Sequence, residues 1–153
     1  MGRKLLSLFL VLALTIPFAA CAGAEESGGD LTDIVLSDQG VTVDDDAASQ
    51  DSEDAVYVGA EIVYYQSGQD ETYGEGTEAD SHDPEEAEAH TVVTITQPGT
   101  YRLSGSLSLG QVAVDLGEDA KEDPQAVVTL ILDGVDLTCT VAPAVLFYNV
   151  YEG

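Results

Sequence analysis

The sequence predicts an all-β fold and, within that class, a solenoid of the parallel β-helix type preceded by an export segment and an acidic linker. Beyond His90, short runs of alternating apolar and polar residues are separated by turns rich in Gly, Asp and Pro. Apolar residues also recur at intervals of roughly fifteen to twenty positions, near the length of one coil of a β-helix. These recurring positions are Val112, Val114, Leu130, Leu132, Val145 and Phe147.

The chain begins with the pattern of an export signal. Arg3 and Lys4 precede an apolar run over residues 5–16, and small residues follow Pro17. The apolar run is too short to span a membrane comfortably. Residues 1–20 are therefore predicted to be a signal peptide.

Cys21 comes directly after this segment, in the string PFAAC. This is the pattern of a bacterial lipobox, whose cysteine is acylated, so we predict a lipoprotein anchored to the bacterial cell membrane through Cys21. Because Phe18 stands where such motifs usually carry Leu, secretion after cleavage near Ala22 or Ala24 is the alternative. If Cys21 carries lipid, Cys139 is predicted to be a small buried hydrophobe; a Cys21–Cys139 disulfide is the alternative.

The chain is a polyanion, with 29 acidic residues against four basic ones and a formal net charge of −25. Once the signal peptide is removed, Arg102 and Lys121 are the remaining cations. Such a surface repels nucleic acid and anionic lipid headgroups, so neither is predicted as a partner.

Residues 21–54 are predicted to form an acidic, largely disordered tether, because carboxylates cluster there with Gly and Ser between them. The domain itself is predicted over residues 55–153, with an acidic insertion at 66–90. Three strand-like pieces interrupt the acidic region, at residues 34–37, 41–44 and 55–65.

Five further segments are predicted to be strands: TVVTIT, YRLSGSL, QVAVDL, AVVTLILDGVDLTC and AVLFYNV. In the fourth, Gly134 predicts a bend between two apolar strands, where a coil would turn a corner. Val135 and Leu137 are then expected to face inward. Stacking of these short strands on one apolar interior, rather than pairing as hairpins, is the prediction on which the fold class depends.

The strings ITQPGTYRLSGSLSLGQVAVDLG and VVTLILDGVDLTCTVAPAVLFYNV resemble those of the bacterial secreted carbohydrate-binding domain family. They match its I-T-x-x-G-T-Y-x-L-S-G strand pair, its Q-x-x-V-D strand and its V-T-L-x-L-x-G-V-D-I-T segment. Members are right-handed parallel β-helices similar to pectate lyases. The resemblance implies binding of acidic or plant-type polysaccharide at the cell surface, with calcium on the helix. Because the family's solenoid is normally longer, residues 55–153 are expected to be its N-terminal part, truncated at the C-terminus.

The similarity to pectate lyases raises an enzyme hypothesis, which the composition disfavours. A lyase needs a base, often Arg or Lys, and cations that neutralise the developing enolate. Arg102 and Lys121 are the candidates, but a structural strand position is the favoured explanation for Arg102 and a surface ion pair is the favoured explanation for Lys121. His82 and His90 lie in the acidic linker, where a solvated role is expected. With 29 carboxylates, a glycosidase-like pair carries no information.

Calcium is the better-supported ligand, because hard cations take several carboxylate and carbonyl oxygens. Bound calcium would also bridge this anionic surface to an anionic polysaccharide. The alternative is that the same acids are turn residues or a solvated loop. The candidate ligands are Asp115, Glu118, Asp119, Glu122 and Asp123 in one loop, with Asp133 and Asp136 flanking Gly134.

Sugar rings stack on aromatic faces, and with no Trp this role falls to Tyr and Phe. Tyr64, Tyr65 and Tyr73 lie in polar surroundings and are the predicted carbohydrate-binding residues. Core packing is instead predicted for the strand residues Tyr101, Phe147 and Tyr148.

Taken with the resemblance, these features predict a non-catalytic, cell-surface carbohydrate-binding protein that uses calcium. The alternatives are a polysaccharide lyase-like enzyme fragment and a structural surface adhesin.

Overall fold

A computed structural model of the chain describes residues 31–63 and 84–151, which form mostly β-structure around a shared apolar core. Helix α1 spans Pro84–Glu88, and a short 3-10 helix spans Glu118–Glu122. Within the described residues, no helix is long and apolar enough to cross a membrane. The strands are β1 (Leu31–Ser37), β2 (Thr42–Val43), β3 (Asp46–Ala47), β4 (Val56–Gly59), β5 (Thr91–Ile95), β6 (Gly99–Leu107), β7 (Gly110–Asp115), β8 (Val128–Leu137) and β9 (Val145–Asn149).

The strands are divided between two sheets. One has five strands in the order β3-β2-β1-β6-β8, and the other has four in the order β4-β5-β7-β9. Both are mixed, because the β1–β2, β2–β3 and β4–β5 pairs are antiparallel whereas the other pairs are parallel. From β5 onward, consecutive strands alternate between the two sheets, and β5, β6 and β7 each pair in parallel with the second strand after them.

The prediction of a right-handed parallel β-helix is wrong. The strands form two flat mixed sheets that are neither closed nor curled into a coil. The antiparallel strands at the start of each sheet break the uniform parallel stacking that a solenoid needs. The apolar recurrence that suggested coils has another cause: strands from the two sheets alternate along the chain and face one core. Parallel pairing rather than hairpin pairing between residues 91 and 149 is observed.

The sequence predicted a bend between two strands at Gly134, but the structure has no bend that ends a strand there. Gly134 lies inside β8 with φ +69°, where the β6–β8 register shifts between Leu103 and Gly105. A bulge of this kind takes up an extra residue without ending the strand. Val135 and Leu137 follow it and pack against the core, which agrees with the predicted inward direction.

The core lies between the two sheets and takes alternate residues from each. Ile34 and Leu103, from neighbouring strands of the five-stranded sheet, are fully buried and in register, as are Val93 and Val112 in the other sheet. Burying each such aliphatic side chain contributes about 1.5–3 kcal/mol. The core is the main apolar contribution to stability, and it fixes the positions of the loops at both sheet ends.

The acidic stretch of residues 21–54, predicted as a tether, includes β1, β2 and β3 among its described residues. Ile34 and Leu36 of β1 lie in the core. Asp44 and Asp45 connect β2 to β3 with φ +50° and +71°, the left-handed values that a two-residue hairpin turn requires. Asp and Asn adopt this conformation more readily than most residues.

Candidate functional site

The loop between β7 and β8 carries the predicted calcium ligands, and two of its carboxylates hold turns. Asp115 Oδ1 accepts hydrogen bonds from the Gly117 N–H at 3.0 Å and from Asn149 Nδ2 at 2.7 Å. Asp123 Oδ1 accepts one from the Gln125 N–H at 2.9 Å. These contacts match the turn-residue alternative that the sequence left open.

The other acids of this loop line an open cleft of about 610 Å³. Its lining residues are Glu118, Asp119, Lys121, Glu122, Asp123 and Pro124. Within residues 31–63 and 84–151, no three His, Cys, Asp or Glu side chains are grouped so that they could hold a metal ion. The carboxylates as placed therefore do not form a ready calcium site, and calcium binding stays a prediction.

Asp133 and Asp136 are exposed on β8, on either side of Gly134. Asp133 lies near enough to Arg102 on β6 for its charge to act on the guanidinium. Asp136 is paired in register with Ser106. The structure thus places both acids on a strand rather than at a loop.

Arg102 is held by Asp33 of β1. Nε donates to Asp33 Oδ1 at 2.6 Å and Nη2 donates to Asp33 Oδ2 at 2.7 Å, a two-pronged ion pair across neighbouring strands. The hydrogen bond to Asp33 and the charges of Asp33 and Asp133 raise the pKa of Arg102 above its ordinary value. A guanidinium held in its charged form in this way is a poor proton acceptor.

The aromatic residues divide into those that the structure describes and those that it does not. Tyr64, Tyr65 and Tyr73, the predicted sugar-stacking residues, lie outside the described residues. Tyr101 is buried, as predicted, and its hydroxyl donates to the Gln97 carbonyl at 2.9 Å. Burial raises the pKa of Tyr101.

Phe147 departs from the core packing expected of it, since it is 45% exposed on the edge strand β9. Its register partner Val114 on β7 is fully buried. The difference follows from position in the sheet, because among the described strands β7 has a neighbour on each side and β9 has a neighbour on only one side.

His90 is buried rather than solvated, in contrast to the expectation from its acidic neighbourhood. Nδ1 lies 2.9 Å from the Glu86 carbonyl oxygen, and Nε2 accepts the Thr140 N–H at 3.1 Å. With Nε2 as acceptor, Nδ1 is the nitrogen that carries the proton and donates. His90 thereby ties α1 to the segment before β9.

A second cleft, which we call the neutral cleft, lies where β6 and β8 begin. Its volume is about 380 Å³, within the range of small-molecule sites in proteins. None of its lining residues is ionisable, in contrast to the acidic cleft on the other side of Pro124. They are Pro98, Gly99, Thr100, Pro124, Gln125, Val127 and Thr129.

Strand register brings the two halves of the neutral cleft together. Thr100 on β6 is the parallel partner of Thr129 on β8, so the two residues lie on adjacent strands, about 4.8 Å apart. The Gly99 N–H donates to the Val127 carbonyl at 3.1 Å and joins the two turns that precede the strands. A Cβ on Gly99 would lie 3.3 Å from the Tyr101 ring, so glycine lets this turn rest closely on the buried aromatic.

The loop that forms the second wall is held by its own hydrogen bonds and by two buried alanines. Ala120 and Ala126 are 5% and 4% exposed, respectively. The Ala126 N–H donates to the Asp123 carbonyl at 3.0 Å, and the Val127 N–H donates to the Gln125 carbonyl at 2.9 Å. A wall fixed in this way loses little conformational entropy when a ligand binds.

Sequence reasoning missed the neutral cleft, as well as the buried Gln111. The available signal was a pair of proline-containing turns, QPG before β6 and EDPQ before β8. They lie side by side because Gly99 pairs with Val128. Gln111 is fully buried, and its amide bonds both the N–H and the carbonyl of Val63 and the carbonyl of Pro143.

The comparisons with known proteins support one class of function. The family model described as carbohydrate-binding domain-containing protein matches residues 89–152. The resemblance to a carbohydrate-binding domain family is therefore confirmed for this part of the chain. No curated protein and no solved structure matches the chain.

Proposed function

We propose that the chain is a non-catalytic carbohydrate-binding protein that acts outside a bacterial cell and binds polysaccharide in the neutral cleft. The proposal is supported by the position of the cleft in the sequence. Residues 89–152, which match the carbohydrate-binding family model, include all seven residues that line the cleft.

The lining has the chemistry that a sugar ring needs. Threonine hydroxyls at Thr100 and Thr129 and the Gln125 amide both donate and accept hydrogen bonds, as sugar hydroxyls do. Pro98, Pro124 and Val127 supply apolar surface for the C–H face of the ring. Because none of the described aromatic rings lines the cleft, we expect weak binding at a single site, with a Kd of about 1 mM.

Catalysis is not part of the proposal, because the two candidate cations are poorly suited to lyase chemistry. Arg102 is committed to Asp33. Lys121 is exposed on the 3-10 helix, in a cleft whose other charged groups are all carboxylates. Neither residue lines the neutral cleft.

Attachment to the cell membrane through an acylated Cys21 is the second half of the proposal. It rests on the lipobox-like string PFAAC and on the export signal before it. Metabolic labelling with a fatty acid tests it, since Cys21→Ser should lose the label and Cys139→Ser should keep it. Labelling that persists in Cys21→Ser would exclude Cys21 as the attachment site.

Calcium assistance, predicted from the acids of residues 115–123, is tested separately by thermal melting. A ligand bound by the folded state alone must raise the melting temperature. Calcium at about 1 mM should raise it and a chelator should reverse the rise. Magnesium serves as the matched control, and an unchanged midpoint removes calcium from the proposal.

Binding itself is tested by calorimetric titration of the full chain with oligosaccharides. Thr129→Val removes one cleft hydroxyl with little change in volume, and we expect it to weaken binding at least about threefold. Thr138→Val makes the same change at an exposed position outside the cleft and should leave affinity unaltered. Equal effects of the two variants would place binding elsewhere. Release of unsaturated products, followed by ultraviolet absorbance, would contradict the non-catalytic assignment.

A further inference from the structure

We infer that the neutral cleft selects uncharged sugar residues and discriminates against uronates. The inference rests on the proposed function, since it concerns which sugars the same cleft takes. The family resemblance implied acidic polysaccharide, whereas the carboxylates next to the cleft favour neutral sugars.

The cleft is an uncharged patch on a strongly anionic chain. Its seven lining residues carry no ionisable side chain, whereas the chain carries a formal net charge of −25. Glu122 and Asp123, both exposed, come directly before Pro124 in its wall. Asp123 Oδ1 accepts the N–H of the cleft residue Gln125 at 2.9 Å, so a ligand in the cleft lies near this carboxylate while its direct contacts are neutral.

No available cation among the described residues offsets these carboxylates. Arg102 is engaged by both oxygens of Asp33. Lys121 lies in the neighbouring acidic cleft together with Glu118, Asp119, Glu122 and Asp123, so the net charge of that group is negative. A bound uronate would add one more carboxylate to this negative region without gaining an ion pair.

The expected size of the discrimination follows from Coulomb's law. Like charges a few ångströms apart near a protein surface repel strongly enough to weaken binding about tenfold or more. The Debye length at physiological salt is about 8 Å, so the repulsion is only partly screened over the width of the cleft. Neutral sugars avoid this penalty and keep their hydrogen bonds to Thr100, Gln125 and Thr129.

The test compares neutral and acidic oligomers of equal length on the full chain. Maltohexaose, mannohexaose and xylohexaose are titrated against hexagalacturonate with chelator present, at about 20 mM and about 300 mM NaCl. We expect at least one neutral oligomer to bind, and hexagalacturonate to bind more weakly by about tenfold or more. The ratio of the Kd of hexagalacturonate to the Kd of the neutral oligomer should decrease at the higher salt concentration.

Variants that remove charge test whether the carboxylates beside the cleft cause the weaker binding of hexagalacturonate. The double variant Glu122→Gln with Asp123→Asn removes two charges beside the cleft and should narrow the ratio at low salt. The amide oxygen that this variant carries at position 123 can still accept the Gln125 N–H, so the turn is kept. The double variant Asp45→Asn with Asp46→Asn removes two charges from the β2–β3 hairpin and should leave the ratio unchanged. Circular dichroism melting verifies that each variant is folded.

The outcomes separate the two proposals. Hexagalacturonate binding as tightly as the neutral oligomers, or tighter, overturns the inference and leaves carbohydrate binding intact. Equal narrowing by both double variants also overturns it, because the effect would then come from net charge alone. If none of the oligomers binds, the proposed function fails and the inference fails with it.

Discussion

Arg102 on β6 and Asp33 on β1 form a two-pronged ion pair, with Nε–Oδ1 and Nη2–Oδ2 distances of 2.6 and 2.7 Å. The two side chains are about 40% exposed, so water and salt weaken their attraction. The pair joins adjacent parallel strands at registered positions. Its contribution to stability is therefore expected to be small.

The variant Asp33→Asn should therefore lower the thermal unfolding midpoint only slightly, and the difference from the native chain should vanish in about 0.5 M NaCl. Asp38→Asn is the matched control. It removes the same charge from a residue that bonds Ser108 rather than a cation, and so reports the general effect of lowering the net negative charge. A large loss for Asp33→Asn that persists in salt would contradict this account.

Gln111 offers a sharper test, because it is fully buried and its amide makes three hydrogen bonds to main-chain atoms of Val63 and Pro143. Gln111→Met keeps a similar volume but removes all three hydrogen bonds from the half-buried main-chain groups of Val63 and Pro143. We expect a loss of about 2–4 kcal/mol in the free energy of unfolding, measured with urea. Gln50→Met makes the same change at an exposed position and should cost less than about 0.5 kcal/mol. Similar losses in the free energy of unfolding at both positions would show that the hydrogen bonds of Gln111 do not stabilise the fold.

Sequence patterns could predict the strands beyond residue 90, because alternation of apolar residues reports which side of a strand is buried. The recurrence of apolar positions from strand to strand was the signal for their parallel pairing. They could not predict the hairpin at Asp44 and Asp45. A run of three acids indicates a solvated linker by composition. What orders it is a partner elsewhere, since Asp44 Oδ1 accepts the Asp33 N–H at 2.8 Å.

Sequence reasoning missed the neutral cleft for a similar reason. Its walls are residues 98–100 and 124–129, which come together only through the β6–β8 register. The cluster of acidic residues in the neighbouring loop led to the prediction of a calcium site there. Asp115 and Asp123 of that loop instead accept hydrogen bonds from main-chain N–H groups of their own turns. Counting ligand-type residues within one loop does not reveal whether their oxygens converge.

Tyr101 gives a prediction about pH. Burial raises its pKa in the folded chain, so the unfolded chain loses the phenol proton first as pH rises. The stabilisation from the neutral phenol is complete below about pH 10, the ordinary tyrosine value. It is lost as pH rises through the pKa of the folded chain.

Tyr101→Phe should therefore cost about 1 kcal/mol near pH 8, through loss of the hydrogen bond to the Gln97 carbonyl. The gap to the native chain should shrink or reverse near pH 11, because the variant has no proton to lose. Urea unfolding of both chains at the two pH values measures it, and the other tyrosines act as an internal control. A stability difference between the two chains that grows toward alkaline pH would contradict a raised pKa for Tyr101.

Alanine substitutions at two glycines near the β6–β8 bulge distinguish the cost of backbone strain from the cost of a steric clash. Gly105 has φ +87°, and an added Cβ would collide with the Leu36 carbonyl oxygen of β1. Gly134 has φ +69°, and no atom of the described residues lies within 4 Å of an added Cβ. Gly134→Ala should therefore cost only the left-handed strain, about 1–2 kcal/mol. Gly105→Ala adds displacement of the β1–β6 pair and should cost about 3 kcal/mol or more. Equal losses on urea unfolding would mean that β1 can move away from β6 at little cost, and that the parallel pairing of these strands is not tightly held.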